Sequence, residues 1–207
     1  PQKSGYWKKQ PELKGAAKDW DVYSGKYKIY DNYGRDMAGN DIGYFMSFDL
    51  KEGEQVEVQV GVSFVSIANA RENLDAEQPT RDFARVERES HDVWAKTLGR
   101  ITVEGGTDEQ RRVFYTALYH TQIHPNILQD VNGEYPCMEG DEILKTSTNR
   151  YTVFSLWDTY RNLTQLQTLL FPDKQEQMIG SMIDMYKEWG WMPKWELYGR
   201  ETWTMEG

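Results

Sequence analysis

A change of hydrophobic period just after residue 64 constrains the fold more than any other feature of the sequence. Over positions 56–62, four valines alternate with more polar or small residues, which predicts a strand with one buried face. Downstream, apolar residues recur at helical spacing, first over 68–77 and then from Phe83 to Leu98. Thr80 is the expected cap of the second of these helices, and Gly99 marks its expected end. A chain that passes once from a period of two to one of 3.6 is expected to combine an antiparallel β portion with a helical portion.

Turn and cap signals divide the remainder of the chain. Pro172 occupies an N1-type position, and Thr107 to Gln110 resembles a helix N-terminus with early acidic residues. Asn132-Gly133 is a typical hairpin-turn dipeptide. The predicted elements are strands at 26–30, 43–50 and 100–104, turns at 31–34 and 38–41, a helix after Thr107, and helices at 152–170 and 173–188.

We therefore predict a multidomain α+β protein of which both domains are incomplete in this chain. Residues 1–66 are interpreted as the C-terminal part of an antiparallel β-sandwich, and 67–106 as a helical linker with a short strand. Residues 107–207 are interpreted as the first helices of a second domain. The start at Pro1, without an initiator Met or the apolar core of a signal peptide, is interpreted as a cut end.

Composition excludes several functions. The chain has 33 acidic and 24 basic residues, a net charge of −9, and therefore lacks the positive surface of a nucleic-acid binder. No apolar run is long enough for a transmembrane helix. The single cysteine, Cys137, cannot form an internal disulfide, so the compartment stays open.

Aromatic residues make up 14% of the chain, an excess compatible with carbohydrate binding. Trp157 and Asp158 lie near a predicted helix start and offer a stacking plane and a carboxylate for sugar hydroxyls. The alternative is that Trp157 packs while Asp158 caps the helix and pairs with Arg161. The residues alone do not decide between the two.

Two further groups are candidates. Trp195, Glu196 and Glu201 lie in a Trp-rich loop that would suit a carbohydrate cleft, although a packing seam with surface glutamates explains them as well. His124 precedes Pro125 in a helix-exit loop, where ligand contacts are common. His120 and His124 have the i, i+4 spacing of a metal-binding face, but no third ligand lies at a convincing spacing, so we expect no metal site in this chain.

Several stretches in series resemble the glycoside hydrolase family 92 α-mannosidases. They run in the family's order through residues 43–207 and are, in this sequence, VSFVS (62–66), ARENL (70–74), FYTALYH (114–120), HPN (124–126), SLWDTYR (155–161) and PKWEL (193–197). The resemblance implies that the chain belongs to a calcium-dependent exo-α-mannosidase that inverts the anomeric centre. It also implies a β-sandwich, a helical linker and an (α/α)6 barrel, of which residues 107–207 would form the start.

The family's catalytic glutamate and aspartates lie downstream of the segment that resembles Trp195–Leu197. The resemblance therefore implies no catalytic residue in this chain, with the acid, the base and the calcium ligands beyond Gly207. It makes Trp157 and Asp158 the best candidates for contacts to a terminal mannose of a mannose-rich oligosaccharide. The set expected to bind substrate is Trp157, Asp158, His124, Trp195, Glu196 and Glu201.

Partners implied by the resemblance are the oligosaccharide substrate and the remainder of the same polypeptide. It also implies export to the periplasm or cell surface. Two alternatives remain open at this point: a glycan-binding protein without hydrolysis, and a fragment that is inactive without the rest of the chain.

Overall fold

The computed structural model describes residues 3–9, 27–31 and 42–204. Its contacts divide the chain into two units, Pro1–Val56 and Glu57–Gly207. The division falls upstream of the boundary predicted at residue 66. Of the turns predicted at 31–34 and 38–41, only Asp31 is described, and it is the last residue of a strand.

The first unit contains an antiparallel sheet of three strands in the order β2-β1-β3. Its strands are β1 (Lys3–Lys9), β2 (Tyr27–Asp31) and β3 (Ile42–Ser47). Tyr6 on the central strand is paired with Tyr30 on one side and Tyr44 on the other, and it stacks on Tyr30 with ring centroids 4.3 Å apart. Strand β1 is not among the predicted strands, although it joins the other two.

The strand predicted over 56–62 is absent from the structure, where residues 48–66 carry no strand. Val58, Val60 and Val62 are all about two-thirds exposed, at 65%, 68% and 64%. A strand needs a neighbour to take up its backbone hydrogen bonds, and the described residues place none beside this segment. The alternation is therefore present in the sequence, but no strand of the described residues pairs with this segment.

Three helices follow, and side chains cap the start of each. They are α1 (Ile67–Glu77), α2 (Phe83–Leu98) and α3 (Asp108–His120). Thr107 and Gln110 form a full capping box on α3, as predicted. Helix α2 is capped by Asp82, two residues after the predicted Thr80, and ends at Gly99. The bounds of α1, α2 and α3 therefore lie close to those that the local sequence predicts.

The strand predicted at 100–104 is also absent. Tyr115 of α3 explains why, because its hydroxyl donates to the Ile101 carbonyl at 3.0 Å and lies 3.4 Å from the Val103 amide. A side chain thus contacts backbone groups that a neighbouring strand would otherwise have paired.

Five short strands follow α3, and the last two replace the beginning of the long helix predicted over 152–170. The chain forms β4 (Asn126–Ile127), β5 (Glu134–Pro136), β6 (Ile143–Lys145), β7 (Tyr151–Thr152) and β8 (Phe154–Ser155) before the next helix begins. Asn132-Gly133 does form a turn, but it precedes β5, and the β5–β6 pair is closed by residues 137–142. The helices that follow are α4 (Leu156–Thr159), α5 (Leu163–Leu170) and α6 (Pro172–Trp189).

The core of the second unit lies where α6 packs against β7 and β8. It consists of Met138, Tyr151, Phe154, Met178 and Met185. Helix α6 begins with Pro172 in its first turn, as predicted, and ends at Gly190, whose φ of 92° is the left-handed C-cap that glycine favours. The last strands, β9 (Trp195–Leu197) and β10 (Arg200–Glu201), complete a second three-stranded sheet in the order β10-β9-β8.

The secondary structure is thus mixed, with a β sheet first and helices paired with short strands afterwards. The described residues form no closed barrel. Among them, no helix combines the length and the apolar character that a membrane crossing needs.

Candidate functional site

Five of the six predicted site residues lie in the β10-β9-β8 sheet or in α4, the helix that follows strand β8. Strand β8 runs directly into α4, which carries Trp157 and Asp158. Strand β9 begins with Trp195 and Glu196, which pair with Ser155 and Phe154 of β8. Strand β10 ends at Glu201, opposite Glu196. Residues about 40 positions apart in the sequence therefore share one small sheet.

Trp157 and Asp158 are the accessible part of this group. The Trp157 side chain is half exposed, at 50%, and Asp158 is also exposed. The Ser155 hydroxyl donates a hydrogen bond to the Asp158 carboxylate and holds it one turn from the helix start. No ion pair with Arg161 forms; the Arg161 guanidinium instead contacts the Tyr160 ring and hydroxyl. Half of the Trp157 surface is therefore available for contact with a ligand.

Trp195 lies within the sheet, whereas His124 precedes β4 outside it. Trp195 is half-buried, and its carbonyl accepts from the Thr202 amide at 3.1 Å. His124 is exposed and precedes a cis peptide bond to Pro125. The residues that follow it form β4, which pairs with β7, the strand just before β8. Helix α3 ends at His120, so His120 and His124 do not form one helical face.

Glu196 is buried rather than exposed on a loop. It has 0% exposure, and its carboxylate accepts from the Thr152 hydroxyl at 2.7 Å, the Val153 amide at 2.9 Å and the Gly199 amide at 2.6 Å. Burial raises the pKa of this carboxyl above its ordinary value, and the hydrogen bonds from Gly199, Thr152 and Val153 oppose that rise.

Glu201 is also buried, at 5% exposure. Its carboxylate accepts from the backbone amides of Lys194 at 2.8 Å, Trp195 at 3.1 Å and Trp203 at 3.3 Å. The interpretation of Glu196 and Glu201 as surface glutamates is therefore wrong. Both carboxylates are used to hold backbone in the segment from 194 to 203.

A tight turn separates these two glutamates. Leu197 pairs with Arg200, so Tyr198 and Gly199 form a two-residue loop, with φ values of 51° and 82°. Positive φ at both central residues is what a type I′ hairpin requires, and glycine takes it without steric cost. The Phe64 ring stacks on Tyr198 with centroids 4.5 Å apart.

Two polar clusters lie elsewhere in the second unit, and no sequence pattern predicted them. The buried Asp130 carboxylate accepts from Ser63 at 2.7 Å, Asn69 at 2.8 Å and Asn73 at 2.7 Å, which fastens α1 to the segment before β5. The contacts join residues 57 to 67 positions apart, so no local pattern reveals them.

The second cluster is centred on Glu188. Its carboxylate accepts from the Arg150 guanidinium at 2.8 Å, the Tyr135 hydroxyl at 3.0 Å and the Met138 amide at 2.9 Å. Burial, followed by the negative charge of Glu188, raises the pKa of Tyr135 to about 12.

The His, Cys, Asp and Glu side chains that the structure describes do not assemble a set of calcium ligands. Nowhere in 3–9, 27–31 or 42–204 do three or more His, Cys, Asp or Glu side chains converge as metal ligands would. The Glu196 and Glu201 carboxylates accept hydrogen bonds from backbone amides, so protein contacts already occupy both groups.

Comparison with known families decides the classification. The profile of the glycosyl hydrolase family 92 catalytic domain matches residues 69–207. The chain belongs to this family. The matched residues run from α1 through the last described strand, and they include Trp157, Asp158 and the whole β10-β9-β8 sheet.

Solved structures of family 92 enzymes agree with the family match. The family GH92 α-mannosidase BT3965 from Bacteroides thetaiotaomicron is 28% identical over 99% of this chain, with a TM-score of 0.73. The GH92 inverting mannosidase BT2199 from B. thetaiotaomicron VPI-5482 is 26% identical over 99% of the chain, with a TM-score of 0.74. A comparison with curated proteins gives no match.

The family 92 chain described here spans about a quarter of the length of these relatives, 26% of each. BT3965 has also been solved in complex with mannoimidazole, and that structure matches 98% of this chain with a TM-score of 0.72.

Proposed function

We propose that this chain is part of a calcium-dependent, inverting exo-α-mannosidase of α-1,2 type that removes terminal mannose from mannose-rich glycans. The observation that carries the proposal is the accessible pair on α4, Trp157 and Asp158, within a family 92 chain. An aromatic face beside a carboxylate held by a neighbouring hydroxyl is suited to a sugar ring and its hydroxyl groups.

In this proposal, Trp157 and Asp158 contact the terminal mannose directly. His124 and Trp195 border the same subsite. Glu196 and Glu201 belong to the site through the backbone that they hold. The mannoimidazole complex of BT3965 supports a mannose-based ligand.

The chemical step needs two carboxyl groups that this chain is not expected to supply. An inverting glycosidase uses a protonated acid on one side of the glycosidic bond and a carboxylate that activates water on the other, roughly 6.5–9.5 Å apart. Glu196 and Glu201 are buried and bonded to backbone amides, which argues against both roles. We place the acid, the base and the calcium ligands in the remainder of the polypeptide.

The proposal extends to architecture and location. Residues 1–66 would belong to a β-sandwich and 107–207 to the beginning of an (α/α)6 barrel, with 67–106 as the linker, and the complete protein would be exported. The first three strands and the paired helices of the second unit are compatible with this arrangement.

The test uses the full-length polypeptide and α-1,2-mannobiose, with calcium and then with a chelator. We expect mannose to be released only with calcium, and NMR to detect the β-anomer first. Trp157→Ala and Asp158→Asn should each lower kcat/KM by at least about tenfold, since each removes a direct contact. Release of the α-anomer first, or release that persists in the chelator, would contradict the inverting or the calcium-dependent part.

A glycan-binding protein without hydrolysis is the second candidate, and the same exposed Trp157 and Asp158 favour it. Binding of mannobiose without any release of mannose, with calcium present, would select this candidate.

A further inference from the structure

The Glu196 carboxylate joins two segments of backbone that lie far apart in the sequence. One oxygen accepts from the Thr152 hydroxyl and the Gly199 amide, and the other accepts from the Val153 amide at 2.9 Å. Thr152 extends the connection, because its hydroxyl oxygen accepts from the Tyr198 amide at 2.9 Å. The side chain has 0% exposure, so water does not compete for these contacts.

Val153 has an unusual backbone conformation. Its φ is 69°, in the left-handed region that a β-branched residue rarely adopts. Such a conformation persists only where the surrounding structure holds it. Strand pairing holds the residues on either side, and the Val153 amide itself donates to the Glu196 carboxylate.

The conformation at Val153 affects the position of the site. Phe154 and Ser155 follow immediately as β8, and α4 begins at the next residue. The amide of Leu156 donates to the Lys194 carbonyl at 3.1 Å, which ties the start of α4 to the segment before β9. A change of φ at residue 153 would redirect the chain that enters α4.

We propose that Glu196 is a positioning residue: its buried carboxylate holds Val153 in the left-handed conformation and thereby sets the position of Trp157 and Asp158. The sequence had suggested that Glu196 touches the sugar itself. The inference rests on the proposed function, in which Trp157 and Asp158 contact mannose.

The first experiment titrates mannoimidazole into the full-length polypeptide by calorimetry, for the unchanged protein and for Glu196→Gln. Glutamine keeps the shape of the glutamate side chain, but its NH2 group must face at least one of the groups that now donate to the carboxylate. That hydrogen bond is then lost. We expect the dissociation constant to rise about tenfold or more, with the binding stoichiometry unchanged. A lower stoichiometry at an unchanged dissociation constant would mean that Glu196 only stabilises the fold, and it would overturn the inference.

The matched control is Glu188→Gln, which alters another carboxylate that is nearly buried in the same unit. Glu188 accepts from Arg150, Tyr135 and Met138, and none of these residues lies in β8 or α4. We expect this variant to be less stable than the unchanged protein but to bind mannoimidazole with the same dissociation constant. An equal loss of affinity in both variants would overturn the specific role of Glu196.

A second variant keeps the test decisive if Glu196→Gln folds poorly. Glycine adopts positive φ without the steric cost that valine has, so Val153→Gly should reduce the need for Glu196. In the Val153→Gly background, we expect Glu196→Gln to raise the dissociation constant of mannoimidazole by less than about threefold, because the two substitutions are coupled. A full tenfold loss in that background would overturn the inference.

Failure of the inference can be distinguished from failure of the proposed function. If Trp157→Ala and Asp158→Asn both bind mannoimidazole as the unchanged protein does, the proposed site itself is wrong. If both weaken binding while Glu196→Gln does not, only the positioning role is wrong.

Discussion

Glu188→Gln tests how the second unit is held together. The Arg150 and Glu188 side chains are only 1% and 10% exposed, and a nitrogen of the guanidinium lies 2.8 Å from a carboxylate oxygen. Arg150 also donates to the Ser181 carbonyl at 3.1 Å and lies 4.8 Å from the centroid of the Tyr135 ring. The substitution removes the negative charge and leaves a buried guanidinium without its counterion.

The cost follows from that burial. Removing one partner of a buried ion pair lowers the free energy of unfolding by about 3–5 kcal/mol. Because glutamine still accepts one hydrogen bond, we expect about 3 kcal/mol for Glu188→Gln. Arg150→Met combined with Glu188→Gln should recover at least about 1 kcal/mol of this, since the unpaired charge is then gone.

The assay is urea unfolding of the full-length protein at pH 7, followed by circular dichroism. The matched control is Lys187→Gln, which breaks an ion pair to Asp184 whose partners are 68% and 46% exposed. We expect less than about 0.5 kcal/mol for this exposed pair. A loss below about 1 kcal/mol for Glu188→Gln, or a double variant with the sum of the single losses, would refute the reasoning.

Three further predictions concern stability. The pKa of Tyr135 is raised to about 12, so the stability that its protonated form contributes is present below pH 10 and is lost as the pH rises from 10 to about 12. Tyr135→Phe should remove about 1–2 kcal/mol of that alkaline loss, as measured by urea unfolding across this pH range. Thr107→Ala removes the cap of α3 and should cost about 1 kcal/mol in the same assay, whereas no change would mean that the capping box is not formed. Asp130→Asn replaces one of the two oxygens that accept from three donors by an NH2 group, and it should lower the free energy of unfolding by about 1–3 kcal/mol. We expect the backbone amides of α1 to exchange faster with deuterium than those of α6 in this variant. Equal exchange in both helices would contradict the role of Asp130 in holding α1.

Local signals predicted several helix ends, although they did not predict the strands at the beginning of 152–170. Helix α3 follows from Thr107 and Gln110, the end of α2 from Gly99, and the start of α6 from Pro172, because each cap depends on residues within a few positions of one another. The series of motifs that includes Trp157 and Asp158 also indicated the family, and the family match covers both residues.

Strands were predicted less well because a strand depends on a distant partner. The valines at 56–62 have the right alternation but no neighbour among the described residues, whereas Lys3–Lys9 forms the centre of a sheet without a strong pattern. The strands at 151–155 were interpreted as helix, since nothing nearby shows that Thr152 and Val153 bind a carboxylate 43 or 44 residues away.

The sequence alone determined the start of α3, the end of α2, the start of α6, the family, and the choice of Trp157 and Asp158 as sugar-binding candidates. Each of these depends on neighbouring residues or on a recognisable run of them. Only the tertiary structure decided that Glu196 and Glu201 are buried and bonded to backbone, and that Arg150, Glu188 and Tyr135 form one cluster. The reason is physical: whether a carboxylate meets solvent, a sugar or an amide depends on which distant segment folds against it, and residue type does not specify that segment.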